Sequence, residues 1–117
     1  HLSADWTRLQ PLDPSTGYLA AQLEALRLIV ESLGPQVPVI QTVFSPLAQA
    51  KNLAGGERLL AHLRRAPEAV LAGLQVITES IRRFIEAALP LGIAGVFYAV
   101  QHARYSLLSA EEYRRFG

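Results

Sequence analysis

Two short apolar segments, separated by roughly fifty residues of helical pattern, most constrain how this chain can fold. Residues 37–44 (VPVIQTVF) and 94–100 (AGVFYAV) are rich in β-branched and aromatic side chains, so both are predicted to be strands. Their nearly continuous apolar character is typical of strands buried on both faces of a parallel sheet. Because a hairpin needs only a short turn, this long helical connection predicts a parallel pair.

The rest of the sequence is mostly helical in pattern. Apolar residues recur at spacings of three and four over the longest of these segments, which predicts amphipathic helices. The predicted helices cover residues 14–33, 46–53, 57–64 and 67–89. Glu79 and Arg83 are four residues apart and are expected to pair on the solvent-facing side of the last of them. Residues 1–12 are predicted to be an irregular lead-in.

Three positions carry residues that typically begin helices. Asp13 and Ser45 each precede a proline, and their side-chain oxygens can accept an unpaired backbone N–H of the first turn. Ser109 and Glu112 have the spacing of a capping box, in which each side chain accepts the backbone N–H of the other residue. A final helix is therefore predicted to begin at Ser109, after a loop over residues 101–108.

Composition excludes several classes of protein. The 11 basic and 10 acidic side chains leave a net charge of +1, which argues against nonspecific nucleic-acid binding. A hydrophobic content of 50% excludes disorder, and the lack of cysteine excludes disulfides and thiolate zinc sites in this chain. No apolar run reaches the roughly 18 residues needed to span a membrane. No secretory signal is visible, and we expect a cytoplasmic location.

The 117 residues form a single segment, residues 1–117, that is too small for a complete parallel fold. Two parallel strands need helices on both faces and further strands at both edges, and a closed eight-stranded barrel takes ~250 residues. The sequence begins at His1 and contains no methionine, so we expect an internal segment of a longer polypeptide. A chain this short would otherwise cover its strand edges by forming a homo-oligomer.

Three stretches, in this order and spacing, resemble the uroporphyrinogen decarboxylase superfamily. They are residues 37–56 (VPVIQTVFSPLAQAKNLAGG), 65–93 (RAPEAVLAGLQVITESIRRFIEAALPLGI) and 95–116 (GVFYAVQHARYSLLSAEEYRRF). The resemblance implies an α/β fold, the (β/α)8 TIM barrel, of which this chain would be an internal portion. The expected architecture is a partial barrel with two parallel strands in mostly helical surroundings.

The resemblance also implies a chemistry, namely removal of carboxylates from the acetate arms of a tetrapyrrole in porphyrin biosynthesis. Such a carboxy-lyase works without a cofactor, and its site needs cations for the substrate carboxylates and an acid to protonate the pyrrole. The paired arginines, the key aspartate and the late histidine of the family lie outside this chain. We therefore assign no catalytic residue and no metal ligand here, and expect this segment to be inactive on its own.

Two functional positions of the family fall inside the chain. A tyrosine on the helix after the first strand aligns with Asn52, and a serine preceding a histidine aligns with Gln101, which precedes His102. Replacement of both hydroxyls implies a divergent family member. We predict that Asn52, Gln101, His102 and Phe44 bind substrate, since ligands meet the carboxyl ends of barrel strands. We expect His102 to form hydrogen bonds rather than to act in catalysis.

More ordinary roles exist for the same residues. Asn52 lies near a helix end, where asparagine is common, and Gln101 with His102 can simply cap backbone carbonyls in a loop. Phe44 is of a type found more often in cores than in stacking against a ligand. Ser45, its neighbour, is expected to be a helix cap rather than a ligand contact.

Two other functions remain open at this stage. The superfamily that the chain resembles also contains corrinoid-dependent methyltransferases, whose zinc ligands lie toward the C-terminus. A noncatalytic, self-associating module is the alternative of a different class. The expected partners are a tetrapyrrole-like small molecule in the full-length protein and a second copy of the chain, with neither nucleic acid nor membrane.

Overall fold

The computed structural model describes residues 2–117, and His1 lies outside the described part. The described chain is mostly helical and contains one two-stranded sheet. Its elements, in chain order, are a 3-10 helix (Ser3–Arg8), α1 (Gly17–Leu33), β1 (Ile40–Phe44), α2 (Pro46–Ala54), α3 (Gly56–Arg65), α4 (Pro67–Ala88), a 3-10 turn (Leu89–Leu91), β2 (Gly95–Ala99) and α5 (Ala110–Phe116).

The two strands pair in parallel, as the long helical connection predicts. Phe44 at the end of β1 lies opposite Ala99 at the end of β2. Backbone hydrogen bonds extend the pairing at both ends, from Ala94 N–H to the Val39 carbonyl at 2.7 Å and from Ser45 N–H to the Ala99 carbonyl at 2.9 Å. The carboxyl ends of both strands therefore lie at the same edge of the sheet.

The prediction that both strands are buried on both faces is wrong for the described chain. Val43 is only 5% exposed, but Ile40 is 60% and Phe97 57% exposed. Side chains alternate along a strand, so Ile40, Thr42 and Phe44 of β1 share one face with Phe97, which lies opposite Thr42. We call this surface the open sheet face. An apolar run shows that a strand can be buried on both faces. Whether it is buried depends on helices or strands packed against each face, and the described chain covers only part of this sheet.

The core lies among the helices, with α4 as its longest contributor. Its members come from the first 3-10 helix, α2, α3, α4, the loop after β2 and α5. They are Trp6, Leu47, Ala50, Leu59, Leu63, Val70, Leu74, Ile77, Leu108 and Phe116. The buried α4 residues recur at spacings of three and four, so the amphipathic stripe read from the sequence is the surface that α4 buries. The predicted Glu79–Arg83 pair is confirmed at 2.9 Å.

The lead-in is an ordered 3-10 helix rather than the irregular segment expected from the sequence. Trp6 anchors it, being only 5% exposed. Its indole lies so close to α4 that a Cβ built on Gly73 would meet Trp6 Cε3 at 2.7 Å. The missing side chain at Gly73 therefore leaves the space into which the indole packs.

The predicted helix starts are confirmed at two of three positions. Ser45 Oγ accepts the Ala48 N–H at 3.3 Å, and Ser109 Oγ accepts the Glu112 N–H at 3.1 Å. The expected start at Asp13 is wrong.

Helix α1 begins at Gly17, after Thr16 as its N-cap residue. Asp13 Oδ1 accepts hydrogen bonds from the Ser15 N–H at 2.9 Å and the Ser15 hydroxyl at 2.7 Å. This local turn competes with helix formation, as aspartate side chains often do.

Candidate functional site

The common carboxyl edge of β1 and β2 is the place where the fold brings polar residues together. Helix α2 starts directly after β1, with Ser45 as its cap, and residues 100–109 form the segment between β2 and α5. Ligands of parallel α/β folds bind beyond the carboxyl ends of the strands, where loops from separate strands converge. The edge is therefore the first place to look for a binding site.

A cavity of about 440 Å³ lies beyond the end of β2, and we call it the edge cavity. It is lined by Lys51 of α2, residues 100–104 and Leu107. The structure thus places Gln101 and His102, two of the predicted substrate-binding residues, in one cavity. It adds two cations, Lys51 and Arg104, that sequence analysis missed.

His102 has a backbone conformation that its residue type rarely adopts. Its φ of +66° is in the left-handed region, and it is the one non-glycine residue with positive φ among residues 2–117. This conformation costs a residue with a Cβ roughly 1 kcal/mol, and such residues cluster at functional sites. The backbone directs the imidazole toward the start of α3, where Nε2 lies 3.9 Å from the position a Cβ on Gly56 would take.

Burial and neighbouring positive charge both favour the neutral form of the His102 imidazole. Partial burial, followed by the positive charges of Lys51 and Arg104, lowers the pKa of His102 below its ordinary value. A neutral imidazole donates one hydrogen bond and accepts another. At neutral pH His102 is therefore equipped to position a polar group by hydrogen bonding.

The two missed cations come from separate parts of the chain. Lys51 lies in the last turn of α2, and Arg104 lies in the loop after β2. Their convergence depends on the parallel pairing, which brings the end of α2 beside the loop that follows β2. Only a three-dimensional argument that combined strand order with helix length could have found them.

Asn52 is not brought into the edge cavity. Its side chain is exposed, whereas Lys51, one residue earlier, lines the cavity. Adjacent residues on a helix point about 100° apart, which explains why one faces the cavity and the other faces solvent. The proposed contact of Asn52 with substrate stays a prediction.

Phe44 lines a second, largely apolar cavity of about 410 Å³ beside β1. Helices α1 and α4 and the segment before α1 contribute most of the other walls, with Phe84 and Ile81 among them. Gln41 also lines it, and its Nε2 donates to the Thr42 carbonyl at 2.9 Å. Phe44 is therefore at the carboxyl end of β1, as predicted, but in a different cavity from Gln101 and His102.

Comparison with known proteins decides the family. The sequence matches the family model described as "Uroporphyrinogen decarboxylase (URO-D)" over residues 2–117. The chain belongs to the uroporphyrinogen decarboxylase family. Searches of curated proteins and of solved structures found no match. The family resemblance predicted from the three sequence stretches is thereby confirmed.

Membership of the uroporphyrinogen decarboxylase family sets the frame for the remaining chemistry. Among residues 2–117, no group of three or more histidine, cysteine, aspartate or glutamate side chains is placed to hold a metal ion. No helix in the same range is long and apolar enough to cross a membrane. The polar chemistry of the edge cavity is that of amide, imidazole and two cationic side chains.

Proposed function

We propose that this protein acts as a uroporphyrinogen decarboxylase-like carboxy-lyase on the acetate arms of a tetrapyrrole. The family match over residues 2–117 carries the proposal. The position of the edge cavity supports it, because this cavity lies at the carboxyl ends of parallel strands, where barrel enzymes bind their substrates.

The chemical demands of decarboxylation explain what this chain contributes. A tetrapyrrole with several carboxylates is a polyanion, so its binding needs cationic side chains and hydrogen-bond donors. Lys51 and Arg104 supply positive charge, and Gln101 with neutral His102 supplies directional hydrogen bonds. Loss of carbon dioxide leaves electrons that a proton must take up, and by family resemblance the acid for that step lies outside this chain.

We further propose that the chain is an internal portion of a (β/α)8 barrel. The open sheet face supports this, because a closed barrel would cover Ile40 and Phe97 with side chains of its other strands. The outer edges of β1 and β2 would then pair with neighbouring strands. This arrangement accounts for apolar strands that the described chain leaves exposed.

The test is an activity assay on the complete reading frame that contains this sequence. The protein is incubated without oxygen with uroporphyrinogen, and the porphyrins obtained after oxidation are separated by their number of carboxylates. We expect products with fewer carboxylates, and slower turnover in the Gln101→Ala variant. Unchanged substrate would refute the proposal, and methyl transfer to a corrinoid without decarboxylation would favour the methyltransferase branch of the superfamily.

Self-association is a second candidate function, favoured by the open sheet face itself. A second copy of the chain packed on this face would cover Ile40, Phe44 and Phe97. Sedimentation of the 117-residue chain tests this idea, and Phe97→Lys provides the matched variant. A dimer that dissociates in the variant supports self-association, and a monomer in both proteins rules it out.

A further inference from the structure

We propose that Trp6 and His62 form a pH-sensitive latch on the N-terminal 3-10 helix (Ser3–Arg8). The latch holds this helix against α3 and α4 while His62 is neutral, and it loosens when His62 takes up a proton. The proposal goes beyond the proposed function and does not depend on it. It concerns how firmly the chain holds the segment that leads into α1.

The first argument is the direction of the hydrogen bond between the two rings. The indole nitrogen of Trp6 can only donate, and it donates to His62 Nδ1 at 3.0 Å. A neutral imidazole accepts at one nitrogen, whereas a protonated imidazole carries an N–H on both nitrogens and accepts at neither. Protonation of His62 would therefore bring two N–H groups face to face, so the rings must separate or the imidazole must turn away.

The second argument is that the indole N–H has little access to a replacement acceptor. Trp6 is only 5% exposed, and its ring packs into the space that Gly73 leaves on α4. A buried donor that loses its partner keeps the full cost of its removal from water. Movement of the 3-10 helix away from α3 and α4 would let water reach the N–H and remove that cost.

The third argument is that other hydrogen bonds of this segment close within it. The Thr7 hydroxyl donates to the Ala4 carbonyl at 2.7 Å, and the Leu2 N–H donates to the Asp5 carboxylate at 2.9 Å. Both bonds support the local fold of the segment without attaching it to another element. Of these three hydrogen bonds, the one from Trp6 is the one that reaches α3.

Charged groups of both signs surround His62. A cavity of about 190 Å³ beside the two rings is lined by Asp5 of the 3-10 helix and by Arg58, which lies one turn before His62 on α3. Arg65 follows one turn later on the same helix. Helix α2 contributes only uncharged side chains to this cavity, namely Leu53 and Ala54. Because these groups act in opposite directions, the pH dependence has to be assigned by changing His62 itself.

The experiment follows the hydrogen exchange of the Trp6 indole N–H by NMR in the 117-residue chain. Trp6 is the only tryptophan in the sequence, so this N–H gives a single signal. The rate is measured at about pH 7.5 and about pH 5, on either side of the ordinary histidine pKa of about 6.5, and is divided by the rate of free indole at the same pH.

Three variants assign the effect to His62. The side-chain oxygen of His62→Gln accepts a hydrogen bond and does not titrate, whereas His62→Phe has no acceptor at any pH. The double variant His1→Gln/His102→Gln leaves His62 as the only one of the three histidines in the sequence. Circular dichroism at both pH values reports the helical content of each protein.

We expect the protection of the Trp6 N–H to fall about tenfold from the higher to the lower pH in the parent chain, the scale of a hydrogen bond lost by a buried donor. The double variant should show the same fall. Both substitutions of His62 should make the protection independent of pH, and helical content should stay constant throughout.

Four results would overturn the latch. They are constant protection in the parent chain, an equal fall in His62→Gln, loss of the fall in the double variant, and loss of helical content in the parent chain at the lower pH. The third would assign the effect to another histidine. The fourth would show that the whole chain unfolds, rather than that the 3-10 helix loosens from a folded chain.

Discussion

Trp6 Nε1 donates a hydrogen bond to His62 Nδ1 at 3.0 Å, and the two rings meet edge to face at an interplanar angle of 89°. The contact joins residues 56 positions apart and fastens the N-terminal 3-10 helix to α3. Because His62 Nδ1 is the acceptor, a neutral ring must carry its proton on Nε2. The contact therefore fixes both the position of the lead-in and the tautomer of a histidine.

A double-mutant cycle measures this hydrogen bond. Trp6→Phe removes the donor and His62→Phe removes the acceptor, and both keep an aromatic ring at the position. We expect each single variant to be destabilised, and a coupling free energy of about 1 kcal/mol in urea unfolding. Strictly additive effects would show that the pair contributes only through packing.

Gly73→Ala tests whether the space beside Trp6 is needed. The new methyl group would meet the indole at 2.7 Å, so we expect a loss of about 1–3 kcal/mol in the free energy of unfolding. The control is the same substitution in a Trp6→Ala background. There the 2.7 Å contact with the indole is gone, whereas the contacts with the residue 6 Cβ at 3.2 Å and carbonyl at 3.3 Å remain, so Gly73→Ala should cost clearly less than in the parent chain. An equal loss in both backgrounds would contradict the indole as the cause.

Removal of either neighbouring cation should raise the pKa of His102. Lys51 and Arg104 both disfavour the protonated imidazole, so Lys51→Gln and Arg104→Gln each remove a repulsive charge. An NMR titration of the His102 ring protons measures the change, with Arg114→Gln as the control of equal charge. An unaltered pKa in both cavity variants would mean that burial alone sets it.

The same pKa predicts how stability depends on pH. The pKa of His102 is lower in the folded chain than the ordinary value of about 6.5 expected after unfolding. Below that value the unfolded chain takes up more protons, so the contribution of His102 to stability is complete above pH 6.5 and declines as the pH falls. Urea unfolding over this range should show a shallower decline in Arg104→Gln than in the parent chain.

Comparing the stabilities of His102→Gly and His102→Ala separates the cost of the backbone conformation from the loss of side-chain contacts. Both substitutions remove the imidazole, but only glycine adopts a φ of +66° without cost. We expect His102→Gly to be more stable than His102→Ala by about 1 kcal/mol, measured by thermal unfolding. Equal stabilities would show that the loop relaxes to another conformation once the imidazole is lost.

Features that depend on residues close together in the sequence, or on the length of a connection, could be predicted from the sequence. The parallel pairing of β1 and β2 could be predicted because it follows from two apolar runs and the length of their connection. The cap at Ser45 could be predicted because it lies within one turn of its partner. The start of α1 was missed because the turn at Asp13 competes locally with the helix.

The site was predictable only in outline. Its expected place at the carboxyl ends of the strands follows from topology, and Gln101 and His102 line a cavity at that edge. Lys51 and Arg104 join them only because α2 ends beside the loop after β2, and no sequence spacing encodes that distance. The packing of the Trp6 indole against Gly73 could not be predicted either, because the two residues come together only after folding.

The Gln41 side-chain amide occupies the Thr42 carbonyl, a backbone acceptor that a further strand added beside β1 would use. The hydrogen bond from Ser45 to Ala99 shows that the odd-numbered positions of β1 face β2, so the Thr42 carbonyl points toward the outer edge. An incoming strand must first displace the glutamine side chain from that acceptor. In the proposed barrel a full-length neighbouring strand would replace this one bond with a whole ladder, whereas a peptide that offers one or two hydrogen bonds would gain little from the exchange.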